Sequence, residues 1–151
     1  MLRYYLSLLT EVGEIMSRMN CIVIGAGRLG KNMAIMLCKR HNVMLIDVDR
    51  SAFGDLDEYS GFMEVGDALD REVLENCGIR DAGTVVIMTE DDNKNIMLAD
   101  VCRQIYNIEN VYIRLKDSRK EKLVADENVK CVCPFDLTLE NFREHYGEAA
   151  L

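Results

Sequence analysis

An α/β fold built on a doubly wound, six-stranded parallel sheet is predicted by three observations. From Asn20 onward, short runs of strand-forming residues alternate with segments of helical period. The runs Cys21–Ile24, Val43–Ile46 and Val85–Met88 are apolar at every position, as strands covered on both faces must be. The first run ends in Gly25-Ala26-Gly27-Arg28-Leu29-Gly30, and a helical pattern begins within it. That order of strand, glycine turn and helix gives the G-x-G-x-x-G pattern its meaning.

The elements follow in order. Residues 1–18 carry Leu2, Leu6, Leu9, Val12 and Met16 near helical spacing, which predicts an amphipathic helix, or an extension, over 1–19 ahead of the domain; the alternative is a natural start at Met16 or Met19. The domain itself runs over 20–147. Strand one is expected at about 21–25 and helix one at 28–40, then strand two at 43–47 and a helix near 50–58. A short strand three follows at Phe62 to Val65, with a helix over 70–76. Strand four is Thr84 to Met88, helix four about 92–106, and strand five Val111 to Leu115. A helix near 118–124 leads to strand six, Lys130 to Cys133. Pro134 stops that strand, because it has no N–H for the ladder. An amphipathic helix over 136–146 closes the series.

The glycine turn is a dinucleotide-binding, Rossmann-type fingerprint. Gly25 allows a tight turn off the strand, Gly27 lets backbone approach a pyrophosphate, and Gly30 lets the helix pack on the sheet. The helix start offers free N–H groups and a partial positive charge to phosphates. Arg28 adds a guanidinium that grips two phosphate oxygens at once. Strand two ends in Asp47, about twenty positions beyond Gly27, where ribose hydroxyls need an acceptor. An acid there repels a 2′-phosphate and so favours NAD or ATP over NADP, a preference that Arg50 weakens.

Bulk composition narrows the function. The 151 residues fit one domain with a single sizeable core. A net charge of −8 argues against a nucleic-acid partner. No apolar run approaches the roughly 20 residues that span a bilayer, so no direct membrane insertion is expected. The opening stretch is apolar, but Glu11, Glu14 and Arg18 follow without a small-residue cleavage site, which favours a cytoplasmic address. The six cysteines fall mostly among apolar neighbours and read as reduced, buried thiols. Cys131 and Cys133 share a strand face, yet C-x-C alone lacks a zinc-site spacing, and no metal site is expected.

From Cys21 to about Phe142 the chain resembles the N-terminal RCK (KTN, or TrkA-N) domain of Trk/Ktr potassium-uptake regulatory subunits. The motifs that carry the resemblance are Gly25 to Gly30, Val43-Met44-Leu45-Ile46-Asp47-Val48-Asp49, Gly66-Asp67-Ala68 with Val73-Leu74 and Gly78-Ile79, Asp81 through Asn95, and Val132-Cys133-Pro134. Their order and spacing make the match specific. The resemblance implies a regulatory ligand, NAD(H) or ATP/ADP, that changes the geometry of an assembly without chemistry. Gly25, Gly27, Arg28, Leu29 and Gly30 would face the phosphates. Asp47 would hold the ribose, with Val48, Asp49 and Arg50 along the same edge. Gly66, Asp67 and Ala68 would lie by the adenine. Thr89 would stand at the mouth of strand four, with Glu90, Asp92 and Asn95 near ligand and subunit contacts. The implied partners are a membrane potassium-transporting subunit of Trk/Ktr type and further copies of the chain, as a homodimer or higher ring. The implied place is the cytoplasmic face of the membrane. Many members of that family continue into a second domain.

Bland readings compete at several of these positions. Arg28 is equally a solvated helix-cap arginine, Asp67 a turn or N-cap aspartate, and Thr89 to Asn95 a helix start whose acids suit the helix dipole. The alternative function is a small NAD-dependent oxidoreductase, or a fragment of one; a third reading is a redox sensor using Cys131 and Cys133. Two other patterns mislead. Gly25 to Asn32 reads G-x-x-x-x-G-K-N, but a Walker loop needs Ser or Thr at its last position to hold Mg²⁺. Tyr112 and Lys116 have the Y-x-x-x-K spacing of a dehydrogenase pair, which requires a helix where a strand is expected. His41 and His145 are isolated and read as surface residues.

Overall fold

Both faces of the central strands are apolar, so both must be covered, and this dictates the architecture. The structure, a computed structural model, describes residues 19–147; the helix expected over 1–18 lies outside them. The six strands are β1 (Asn20–Ile24), β2 (Asn42–Asp47), β3 (Phe62–Val65), β4 (Ala82–Ile87), β5 (Asn110–Arg114) and β6 (Val129–Val132). They form one parallel sheet in the order β3-β2-β1-β4-β5-β6. The chain winds outward from β1 to β3 and then returns to start the other half at β4.

Alternation along the strands splits the core in two. On one face Cys21, Val23, Val43, Leu45, Val86 and Met88 pack under α1 (Arg28–Cys38), which contributes Ala34 and Cys38. On the other, Ile22, Ile24, Ile46, Val85, Ile87 and Ile113 meet Leu74 of α2 (Arg71–Asn76) and Ile96, Leu98 and Ala99 of α3 (Asp92–Asp100). β3 is an edge strand with all four residues exposed. Burying aliphatic side chains at these positions is the dominant stabilising term, about 1.5–3 kcal/mol for each one fully removed from water.

Three expected helices differ. The segment near 50–58 forms a single 3₁₀ turn, Arg50–Phe53. Asp49 caps it, and the extended Gly54 and left-handed Asp55 (φ 57°) then carry the chain away. Tyr59 ties the rest of the loop down: its hydroxyl lies 2.9 Å from the Val43 carbonyl and 2.8 Å from that of Phe62. The segment near 118–124 is likewise a 3₁₀ turn, Ser118–Leu123. Helix four is α-helical only to Asp100; Val101–Ile105 continue as one wide π turn around the buried Cys102, whose thiol burial pushes up to about 12. The terminal helix α4 (Pro134–Tyr146) starts at the proline itself, whose missing N–H costs nothing at a first helical position. None of its residues is buried, and its Phe142 and Tyr146 rings stack at 5.5 Å.

Candidate functional site

A cleft of about 320 Å³ opens at the carboxyl ends of β1, β2 and β4. It lies where the winding reverses, with β1 leading out to β2 and β3 and β4 leading to β5 and β6. In open α/β sheets that switch point is where ligands bind. Ile24, Ile46 and Met88 supply apolar lining, with Gly25 and Gly27 beyond the end of β1 and Thr89, Glu90 and Lys94 beyond the end of β4.

The glycine turn is fixed by its neighbours. Gly25 has a φ of +99°, and a Cβ there would sit 2.9 Å from the backbone of Met88 and Thr89. A Cβ on Gly30 would lie 1.8 Å from the Gly25 carbonyl oxygen. Both positions therefore demand glycine for the fold's own sake. Gly27 differs: its backbone is extended (φ −68°, ψ 179°), and a Cβ there meets nothing within 4 Å. The N-cap of α1 is Gly27, without a side-chain cap, and its first turn holds no acid. Among the described residues no side chain caps this helix start, whose Gly27 lines the cleft; free N–H groups at a helix start attract a phosphate.

Asp47 is held from both sides. The Ala26 N–H donates to its Oδ2 at 2.7 Å and the Asp49 N–H to its Oδ1 at 2.8 Å. One carboxylate thereby fastens the glycine turn to the end of β2, while each oxygen keeps a lone pair for a hydroxyl donor. Asp49 caps the following turn, and the Ser51 hydroxyl and N–H hold its carboxyl below the usual carboxylate range. Across the cleft Glu90 accepts from Lys116 at 2.8 Å and Arg114 at 2.7 Å, and these cations likewise lower its carboxyl.

Of the residues expected at the site, the structure brings Gly25, Gly27, Asp47, Val48, Asp49, Gly66, Ala68, Thr89 and Glu90 to the cleft. Others it places differently. Leu29 packs into the apolar cluster beneath α1, and Gly30 lies under the turn. Arg28 and Arg50 are exposed at the starts of α1 and the 3₁₀ turn and do not line the cleft. Asp67 stands at the rim, joined to Lys94 at 2.8 Å; that amine, with the Leu69 N–H, lowers its carboxyl.

Asp92 and Asn95 are a correction, since both turn inward. Asp92, 6% exposed, accepts from the Lys116 N–H at 2.8 Å and the Asp117 N–H at 3.2 Å. Asn95, fully buried, donates to the Thr89 carbonyl at 3.1 Å and the Arg114 carbonyl at 2.8 Å and accepts from the Thr89 hydroxyl. These side chains strap the end of β4 to the end of β5. Cleft residues not anticipated are Ile24, Ile46, Ala52, Met88 and Lys94. Ile24, Ile46 and Met88 were legible as strand ends. Lys94 had no local signal, because its partner Asp67 lies 27 positions away.

The misleading patterns resolve as well. The Lys31 amine donates to the Gly54 carbonyl at 2.9 Å, away from any loop of Walker type. Tyr112 lies on β5, and Lys116 beyond it pairs with Glu90. Among the described residues, no group of three or more His, Cys, Asp or Glu is placed to hold a metal ion, and no helix is long and apolar enough to cross a membrane.

Strand order, glycine turn and cleft together define a Rossmann-like α/β domain with an open cleft at the switch point. The family model described as the TrkA-N domain matches residues 21–133, and the chain belongs to that family. It is 33% identical over 107 residues to a Trk system potassium uptake protein TrkA of Streptomyces coelicolor, a match covering 70% of this chain and 48% of that protein. The chain spans about half the length of the curated TrkA relatives of Streptomyces coelicolor, Pyrococcus horikoshii and Pyrococcus abyssi that it matches. In fold it is similar to the TrkA-N domain of the inner membrane protein ybaL from Escherichia coli (TM-score 0.75, 13% identity, 85% of this chain and 96% of that one). It is also similar to the GsuK channel bound to NAD (TM-score 0.73, 24% identity, 86% of this chain and 24% of that one).

Proposed function

We propose that the chain is a nucleotide-binding regulatory domain of a membrane potassium-uptake system, working at the cytoplasmic face. The observation that carries this reading is the cleft: an uncapped helix start beside an acid already fixed to the glycine turn. A nucleotide's phosphates would lie over the N–H groups of α1, and its ribose hydroxyls would donate to Asp47. NAD(H) and the adenine nucleotides ADP and ATP share that phosphate–ribose half. The TrkA relatives support the assignment to potassium transport.

Regulation without chemistry fits the groups on the cleft walls. Two cations hold the Glu90 carboxylate ionised, and the Thr89 hydroxyl donates to Asn95. A ligand would act by binding one arrangement of the assembly more tightly than another, since only differential affinity shifts an equilibrium. Paired copies of the domain are the simplest such assembly. The exposed Phe135, Leu137 and Phe142 of α4 offer an apolar surface for one.

The test is calorimetric titration of the chain with NADH, NAD, ADP and ATP. The expected result is micromolar binding of at least one, lost in Gly27→Ala, with no consumption of the bound nucleotide. Absence of binding by all four would overturn the reading. Hydride transfer from bound NADH to an added substrate would replace it with the oxidoreductase reading.

A further inference from the structure

A separate cavity of about 330 Å³ opens at the carboxyl ends of β5 and β6, against the start of α4. No residue lines both it and the cleft. Two thiols open on it, those of Cys131 and Cys133. Of the six cysteines these are the two that are not buried. Cys131 lies in β6, and Cys133 continues the extended backbone beyond it (φ −109°, ψ 100°) as the N-cap of α4. Residues two apart on an extended chain share a face, with Cα atoms about 6.6 Å apart. A disulfide spans roughly 4.4–6.8 Å between Cα atoms, so the pair can close on a small inward movement.

The two thiols differ in setting. Burial and the neighbouring Glu121 carboxylate push the Cys131 thiol up. Cys133 stands past the strand's end, its thiol donating to the Lys116 carbonyl at 3.7 Å, a weak bond that an attacking sulfur gives up at little cost. Cys133 is therefore the first sulfur to attack, and Cys131 the one that follows. The cavity also sorts what reaches them. Glu121, Asp136 and Glu140 line it, and no basic residue does. A lining of one sign concentrates small molecules of the opposite sign and repels those of its own.

We propose that Cys131 and Cys133 form a thiol-modification site for a cationic low-molecular-weight disulfide, one bearing ammonium groups. The Cys133 thiolate attacks one sulfur of that molecule; its S–S bond breaks, and one half leaves as a thiolate and takes up a proton. The other half remains on Cys133 as a mixed disulfide, its ammonium among the three carboxylates. Cys131 gives its proton to water and attacks the Cys133 sulfur. The mixed S–S bond breaks, the second half leaves as a thiol, and Cys131 and Cys133 are joined. Two protein thiols are oxidised, and one small disulfide is reduced to two thiols.

The experiment treats the reduced chain with cystamine, hydroxyethyl disulfide or oxidised glutathione, which are cationic, neutral and anionic, and follows intact mass and peptide maps. Each rate is divided by that of the urea-unfolded chain, which cancels the reagents' own reactivities. Wild type with cystamine should lose two hydrogens, with the bond mapped to Cys131 and Cys133. Cys131→Ser should instead keep one adduct on Cys133, and Cys133→Ser should react roughly tenfold more slowly. The normalised rate should fall by about tenfold from cystamine to oxidised glutathione, and by less in high salt. Thermal unfolding of the reduced variants checks their fold, and Cys131→Ala replaces the serine variant if that one is unstable. Three results overturn the proposal: a folded chain that stays reduced while the unfolded chain is oxidised, adducts that persist on both cysteines without closure, or equal normalised rates for the three reagents.

Discussion

Gly27→Ala separates what the fold requires from what a ligand requires. The new methyl meets no protein atom within 4 Å, and the backbone there (φ −68°, ψ 179°) is one that alanine adopts freely. Two small effects oppose each other. Restricting the unfolded chain stabilises by about 0.4–1 kcal/mol. Replacing glycine with alanine at a helix N-cap costs about 0.5–1 kcal/mol. The net change in stability is thus expected within about 0.5 kcal/mol of zero. A phosphate seated on the turn would meet the methyl directly, so nucleotide affinity should fall at least tenfold, about 1.4 kcal/mol. Gly30→Ala is the contrast. Its Cβ would overlap the Gly25 carbonyl oxygen at 1.8 Å, and relieving that contact should cost about 3 kcal/mol or more. Urea unfolding measures the stability of both variants, and calorimetry measures the affinity of Gly27→Ala. A Gly27→Ala protein that is as stable as wild type and binds nucleotide equally well would refute the idea that this turn cradles phosphate.

Two further outcomes follow from the polar groups around the cleft. Asn95→Ala should destabilise by about 3 kcal/mol, because it strands two carbonyls and a hydroxyl with only water to replace the amide; a loss below about 1 kcal/mol in urea unfolding would show that the strap is not needed. The depressed carboxyls of Glu90 and Asp67 make stability pH-dependent. Their folded pKa values lie below the unfolded ones of about 4, so the contribution is present above that pH and disappears as pH falls through the folded values, where the unfolded chain binds more protons. Both side chains are at least half exposed, so the effect is modest and weakens with salt. Unfolding free energy measured from pH 6 to pH 3 should fall less steeply in Glu90→Gln than in wild type, and parallel curves would contradict the assignment.

How far the site was legible depended on where each residue's partner lies. Gly25, Gly27 and Gly30 could be read because a strand–turn–helix junction constrains residues within a few positions of one another. Asp47 could be read because the length of a helix and its return strand fixes the distance between two neighbouring strand ends. Asp92 and Asn95 were misplaced for the opposite reason. A polar residue in a helix's first turn reads the same whether it faces a ligand or a neighbouring strand end. Only β5, arriving about twenty residues later, decides that these two face inward.

By itself the sequence determined the α/β class, the continuous apolar strands buried on both faces and the glycine turn, since each is a local pattern of period or conformational need. The tertiary structure alone decided that residues 50–58 make a single turn, because capping by Asp49 and anchoring by Tyr59 outweigh helical period there. It also decided that a side chain at Gly27 would meet nothing within 4 Å while one at Gly25 or Gly30 would collide with backbone, and that Lys94 reaches Asp67. These are facts about atoms brought together from distant parts of the chain. No local pattern encodes them, because the contacts exist only once the sheet has assembled.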